Sequence, residues 1–280
     1  MTDQTMAGRT VLVTGASDGI GAETARVLAA KGATVHVTGR SAEKLRPVAE
    51  AVGTEPLVAD FSRLDDVRRL AAQVGERVEK LDVLMNNAGG TFAPSKTTHD
   101  GHEPNFQVNH LAPFLLTNLL RPQLAAAGSS LVVNTSSIGN LMGKIVLDDL
   151  DYERRRAIEF PAYGTGKLMN IVFTRGITQR WAEDGIVSVA VHPGPVGSSF
   201  GRDSWFVGLL YRSPLKRFAT ISVPDGAAPL IALAEGGPVH EVNGRYYSRF
   251  HADGRENKQA HDQTVIDGLW ERSAALVGVG

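Results

Sequence analysis

The chain contains no cysteine. That excludes disulfides, thiolate metal centres and a cysteine nucleophile together, and it is compatible with the cytoplasm. Net charge is nearly absent: 29 Lys and Arg stand against 30 Asp and Glu. A nucleic-acid binder would show a basic excess, so that class of partner is not expected. Long apolar runs are lacking too. The richest, residues 111–120, is interrupted by Pro113 and Asn118 and is too short to span a bilayer. Residues 1–8 are polar, without the apolar centre of a signal peptide, and read as a flexible leader with no transmembrane anchor. What remains is 280 residues, 42 % hydrophobic and 21 % charged. This suits one soluble domain with a sizeable core and no linker or repeat.

The organising stretch is residues 9–21. Val11, Leu12 and Val13 form a short apolar run, as in a strand buried on both faces of a parallel sheet. Gly15, Gly19 and Gly21 follow, and residues 22–31 read as a helix with Ala25, Leu28 and Ala29 on one face. Strand, glycine turn and helix start together form a nucleotide-binding unit. Helix-start N–H groups carry partial positive charge, and missing side chains admit a pyrophosphate. The spacing is Gly-x-x-x-Gly-x-Gly, and an ordinary tight turn is the plain alternative.

Strands are expected at residues 33–38, 56–59, 81–84, 130–134, 186–191 and 243–247, with helices between them. The fold expected is α/β: a single-domain, Rossmann-type, doubly wound parallel sheet of about seven strands, helices on both faces. Arg40 ends the second strand, where an acid would bind a ribose 2′-hydroxyl and an arginine suits a 2′-phosphate. Ser41 can cap the next helix. Asp60 is placed either to accept a bond from an adenine amino group or to cap the helix over residues 64–78. Asn86-Asn87-Ala88-Gly89 leaves the fourth strand at the crevice where open α/β sheets bind ligands. His99, Asp100, His102 and Glu103 read as a solvated loop rather than a metal site, and residues 148–159 as a charged surface insertion. Asn109 lies in one long apolar helix, residues 106–124, where a buried amide needs partners or a role.

Tyr163 and Lys167 open a helix four residues apart, on one face, so that the cation can favour the phenolate. Pro193-Gly194 leaves the sixth strand at the crevice. Residues 199–223, with Trp205 and Phe206, read as a substrate lid following that turn.

In their order, Thr14-Gly15-x-x-x-Gly19-x-Gly21, Asn86-Asn87-Ala88-Gly89, Asn109, Ser137, Tyr163-x-x-x-Lys167 and Pro193-Gly194 resemble the motifs of the short-chain dehydrogenase/reductase family, over essentially the whole chain. Val108-Asn109-His110-Leu111, Leu147-Asp148-Asp149-Leu150 and Leu269-Trp270-Glu271 look like its retinol-dehydrogenase and WW-domain-oxidoreductase-like branch. The resemblance implies an NADP-dependent oxidoreductase, frequently a homo-oligomer, acting on a carbonyl or alcohol of a fairly apolar small molecule. Tyr163 would be the acid/base. Lys167 would lower its pKa and hold the nicotinamide ribose, Ser137 would bond the substrate oxygen, and Asn109 would hold a proton-relaying water. Gly15, Ser17, Asp18, Gly19, Ile20, Gly21, Arg40, Asp60, Phe61, Asn87, Ala88, Gly89, Pro193, Gly194 and Val196, with Tyr163 and Lys167, would line the NADP site. Ser137, Tyr163, Trp205 and Phe206 would meet the substrate. Two departures stand out: Gly166 replaces a frequent serine, and Ser198 replaces a threonine. Reduction of an activated C=C bond, non-catalytic NADP sensing, and hydrolysis by Ser137 with His192 are the competing readings.

Overall fold

The computed structural model describes residues 5–93, 97–196, 220–236 and 243–280. In β1 (Thr10–Thr14), Val11 and Val13 enter one core and Leu12 the other, all fully buried. β4 (Val83–Asn86) repeats this with Val83 and Met85 against Leu84. A strand with two dry faces has no polar side to show, hence the unbroken apolar runs.

With β2 (Thr34–Gly39), β3 (Leu57–Val58), β5 (Ser130–Thr135), β6 (Ile186–His192), β7 (Tyr246–Ser248) and β8 (His251–Ala252), the sheet order is β3-β2-β1-β4-β5-β6-β7-β8. All neighbours are parallel except β7 and β8. The eighth strand, beyond the seven expected, is a short antiparallel return after β7. The order reverses between β1 and β4, and a crevice at the carboxyl ends of the strands follows from that switch.

One face carries α1 (Gly19–Ala30), α2 (Ala42–Val52) and α8 (Val223–Glu235). The other carries α3 (Leu64–Arg77), α5 (Ala112–Leu119), α7 (Glu159–Trp181) and α9 (Gln263–Val277). Ser41 caps α2 as expected, accepting the Lys44 N–H. α3 is different: Asp60 does not cap it, but accepts the N–H and O–H of Ser62. The Leu64 N–H goes instead to Asp100, a loop residue distant in sequence.

The single helix expected over residues 106–124 is broken. α4 (Pro104–Phe106) runs into a π turn at Gln107–Leu111, then α5, then α6 (Arg121–Ala126). Pro113 has no N–H for the Asn109 carbonyl one turn back, so α-helical register cannot pass that point unaltered. α7 starts at Glu159, one turn before Tyr163. On its far side, Trp270 of α9 packs within 5.1 Å of the Phe114 ring, 5.8 Å of Phe173 and 5.3 Å of Trp181. His110 reaches Ser273 Oγ at 2.8 Å.

One further expectation needs correction and one needs refinement. The leader is not loose through residue 8, because Met6 is buried and its N–H bonds the Lys31 carbonyl. Residues 148–159 lie at the surface as expected, with Asp148, Glu153, Arg154, Arg156 and Ile158 exposed, but the segment is anchored to the body. Asp149 is buried and accepts the N–H groups of Arg154 and Arg155, while Tyr152 donates to Thr165 of α7 at 2.8 Å. Backbone donors satisfy the acid, so charge density there does not mean exposure. No helix among the described residues is long and apolar enough to cross a membrane.

Candidate active site

At the β1–α1 turn, Gly15 and Gly19 have φ of +66° and +58°, the left-handed region that favours glycine. A Cβ on Gly15 would lie 2.8 Å from Ala88 Cα, and one on Gly21 would lie 2.5 Å from both Asn87 Nδ2 and the Gly15 carbonyl. Thr14 stitches this turn to the end of β4. Its Oγ1 accepts the N–H groups of Asn87 and Ala88 and donates to the Met85 carbonyl. Asn87 Nδ2 donates back to the Thr14 carbonyl at 3.0 Å. Asp18 caps α1 through the Gly19 N–H.

Ser17 Oγ is buried without a partner and sits where a Cβ on Gly39 would intrude. The neighbouring Arg40 is exposed, and no ion pair engages it among the described residues. Ile20 and Val196 meet over Gly226, where a Cβ would strike both. Glycine cradle, orphaned hydroxyl and free guanidinium are what a phosphorylated dinucleotide requires, so the residues fit that group.

The other end of the crevice gathers the polar residues. Lys167 is 2 % exposed, and its Nζ donates to the Thr135 carbonyl at 3.0 Å. Burial draws its pKa down to about 8. Nζ lies 5.8 Å from the centre of the Tyr163 ring, and a Cβ on Gly89 would lie 3.1 Å from Nζ and overlap Asn109. Ser137 Oγ accepts the Gly139 N–H at 3.1 Å, an arrangement that leaves its own proton to give. Gly139 separates it from Tyr163: a Cβ there would lie 3.1 Å from Tyr163 Cε1 and 3.5 Å from Ser137 Oγ. Ser136 has given its proton to the Lys167 carbonyl, which distinguishes the two serines.

Asn109 is fully engaged. Oδ1 accepts the Gly90 N–H, and Nδ2 donates to the carbonyls of Gly90 and Asn105. Gly166 backs this knot: a Cβ would lie 2.8 Å from the Asn105 carbonyl, so a serine there would not fit. Phe61 is less favourably placed for a ligand. Its side chain is in the core and its carbonyl accepts from Gln107. Asp60 shares one carboxylate oxygen with Ser62. Gly194 turns with φ +101°, and its N–H reaches His192 Nδ1 at 3.4 Å. Burial and Arg249 push the His192 pKa down to about 4, and its Nδ1 is turned toward its own loop. Trp205, Phe206, Ser198 and most of residues 199–223 lie outside the described residues.

The His99–Glu103 cluster is used structurally. Asp100 caps α3, His102 bonds Asp151 at 2.9 Å, and buried Glu103 caps α4 through the Phe106 N–H. Among the residues not anticipated are Thr135, whose carbonyl holds Lys167, and Asn170, whose Nδ2 shares that carbonyl at 3.0 Å. Asn105 clamps Phe92 through both its N–H and its carbonyl. Asn170 stands three residues after Lys167 and Asn105 four before Asn109, so helical spacing was the available signal.

A doubly wound sheet with a glycine cradle at its switch point, and a hydroxyl, a phenol and a buried ammonium beside it, defines a nucleotide-dependent oxidoreductase. The chain belongs to the short-chain dehydrogenase family, whose model matches residues 9–205. It is 36 % identical to human retinol dehydrogenase 13 over 98 % of this chain and 86 % of that one. It is 39 % identical to DnrU of Streptomyces sp. (strain C5), named as a candidate daunorubicin C-13 ketoreductase, over 97 % and 93 %. The Pseudomonas aeruginosa RhlG/NADP active-site complex superposes with a TM-score of 0.70 at 26 % identity, covering 89 % of this chain and 97 % of that one. The retinol-dehydrogenase-like branch is the one these relatives support.

Proposed function

We propose that the protein catalyses reversible hydride transfer between NADP(H) and the carbonyl/alcohol pair of a fairly apolar small molecule, with Tyr163 as acid/base. The observation that carries this reading is the convergence of Ser137, Tyr163 and Lys167 around Gly139 and the Thr135 carbonyl. When bound, the nicotinamide supplies or accepts the hydride. Ser137 holds the substrate oxygen with its hydroxyl proton. Tyr163 gives its proton to that oxygen in reduction and takes it back in oxidation. Lys167, a buried cation against the ring, favours the phenolate form. The Asn109 side chain is committed to Gly90, so a water-holding role falls to its backbone carbonyl, which Pro113 cannot engage.

NADP rather than NAD rests on Arg40 and the unpartnered Ser17 hydroxyl beside it. Asp18, Ile20, Asn87, Ala88, Gly89, Pro193, Gly194 and Val196 complete the crevice wall. The apolar substrate is supported by Ile138, Leu141 and Met142. They are 47 %, 37 % and 54 % exposed on the turn directly after Ser137. Tyr163→Phe keeps the ring and removes the proton. Turnover of a lipophilic aldehyde panel should fall by about a thousandfold, with NADPH binding retained in titration. A variant that still turned over at the wild-type rate would remove Tyr163 from the chemistry.

A further inference from the structure

Three strand ends lie side by side at the carboxyl edge of the sheet. The Ser136 N–H bonds the Val191 carbonyl at 2.8 Å, joining β5 to β6. The Arg249 N–H bonds the His192 carbonyl at 2.8 Å, joining β6 to the turn after β7. Adjacent strands are ~4.8 Å apart, so the Arg249 backbone stands about 10 Å from that of Ser137, across the Pro193-Gly194 turn.

Arg249 sits at the turn after β7. Its φ is +56°, as the first residue of the two-residue hairpin turn Arg249-Phe250 between β7 and β8 requires, and the turn fixes where its side chain departs. Its Nε is buried with no acceptor, and among the described residues no carboxylate pairs with it. The side chain lies against the crevice turn: a Cβ on Gly194 would lie 3.6 Å from Arg249 Cδ. Its charge is felt by His192, which burial holds neutral. The guanidinium lies 5.9 Å from the Phe250 ring centre, but among the described residues this partly buried cation has no anion, and the exposed Ile138, Leu141 and Met142 lie on the turn leaving β5, two strands away.

We propose that Arg249 binds a carboxylate on the substrate. The substrate would then be an apolar carbonyl compound with an acid one or two aromatic-ring lengths from the reacting carbon. This rests on the hydride-transfer reading above.

The test compares para-carboxybenzaldehyde with para-methylbenzaldehyde, and the corresponding biphenyl pair one ring longer, using NADPH. Wild type, Arg249→Asn and Arg249→Lys are measured; asparagine tolerates the left-handed backbone. In wild type, kcat/KM should favour the acid at least about tenfold for one of the two lengths. The acid-to-neutral ratio should fall toward one in Arg249→Asn and be partly restored in Arg249→Lys. An equal ratio in wild type and Arg249→Asn overturns the assignment. So does weakened NADPH binding by Arg249→Asn without aldehyde, which would give the residue to the cofactor phosphates. If none of the four aldehydes is turned over by wild type, the hydride-transfer reading fails. Calorimetric binding of the carboxylate probes to the NADPH complex, wild type against Arg249→Asn, then decides on Arg249 alone.

Discussion

Replacing Lys167 by methionine should make the folded protein more stable at neutral pH while abolishing its activity. The ammonium is buried and its pKa drops from 10.5 to about 8 in the fold. At ~1.4 kcal/mol per pH unit, holding that charge in the native state costs about 3 kcal/mol. Methionine is similar in length and carries no charge. The lost bond to the Thr135 carbonyl offsets about 1 kcal/mol, but that carbonyl keeps its Asn170 donor and is not orphaned. A net gain of about 2 kcal/mol is expected at pH 7. The sign fixes the pH dependence. Below about pH 8 the lysine is protonated both folded and unfolded, and the full penalty is present. Between 8 and 10.5 the folded state loses its proton first, so wild-type stability rises with pH and the gap to the variant narrows. Urea unfolding of the cofactor-free proteins at neutral and alkaline pH measures both quantities. A variant less stable than wild type at pH 7, or a gap that pH does not move, would refute a buried charge at this position.

Arg40→Ala should remove discrimination between NADPH and NADH, by roughly tenfold or more in relative affinity. Fluorescence titration with both cofactors checks it, and an unchanged NADPH preference would assign the 2′-phosphate elsewhere. Asp151→Asn tests the strap that residues 148–159 form. Bonding to Asp151 raises the His102 pKa above 6.5, so the pair's contribution is complete below 6.5 and is lost as pH rises through the raised value. Wild type should therefore exceed the variant in stability by more at mildly acidic than at alkaline pH. Equal differences at both would show that the ionised pair adds nothing.

The sheet was legible because Val11–Val13 and its counterparts are buried on both sides, a pattern that depends on nothing outside each strand. Tyr163 and Lys167 were legible for the same local reason, helical spacing. The π turn was not: its helix is buried on every side, and the register change depends on Pro113 and on Asn109 being tied to Gly90. The cap of α3 came from Asp100, beyond the reach of a local signal. The anchor of Lys167 is a backbone carbonyl, which side-chain identities do not reveal. Burial of Asp149 was not legible either, since its partners are the backbone N–H groups of Arg154 and Arg155 in a segment that otherwise lies at the surface.

The contact between α7 and α9 bears on how the protein is made. The helix holding Tyr163 and Lys167 is synthesised well before Trp270, yet its far side rests on it. Gly176 leaves room for nothing but the Trp270 ring, since a Cβ would lie 2.8 Å from Trp270 Cε3. While translation proceeds from β6 to α9, Phe114, Phe173 and Trp181 have no cover on that flank. The nascent chain thus emerges with its reactive groups in sequence but with a greasy, unfinished wall behind them. It remains vulnerable to aggregation and proteases until Gln263–Val277 docks.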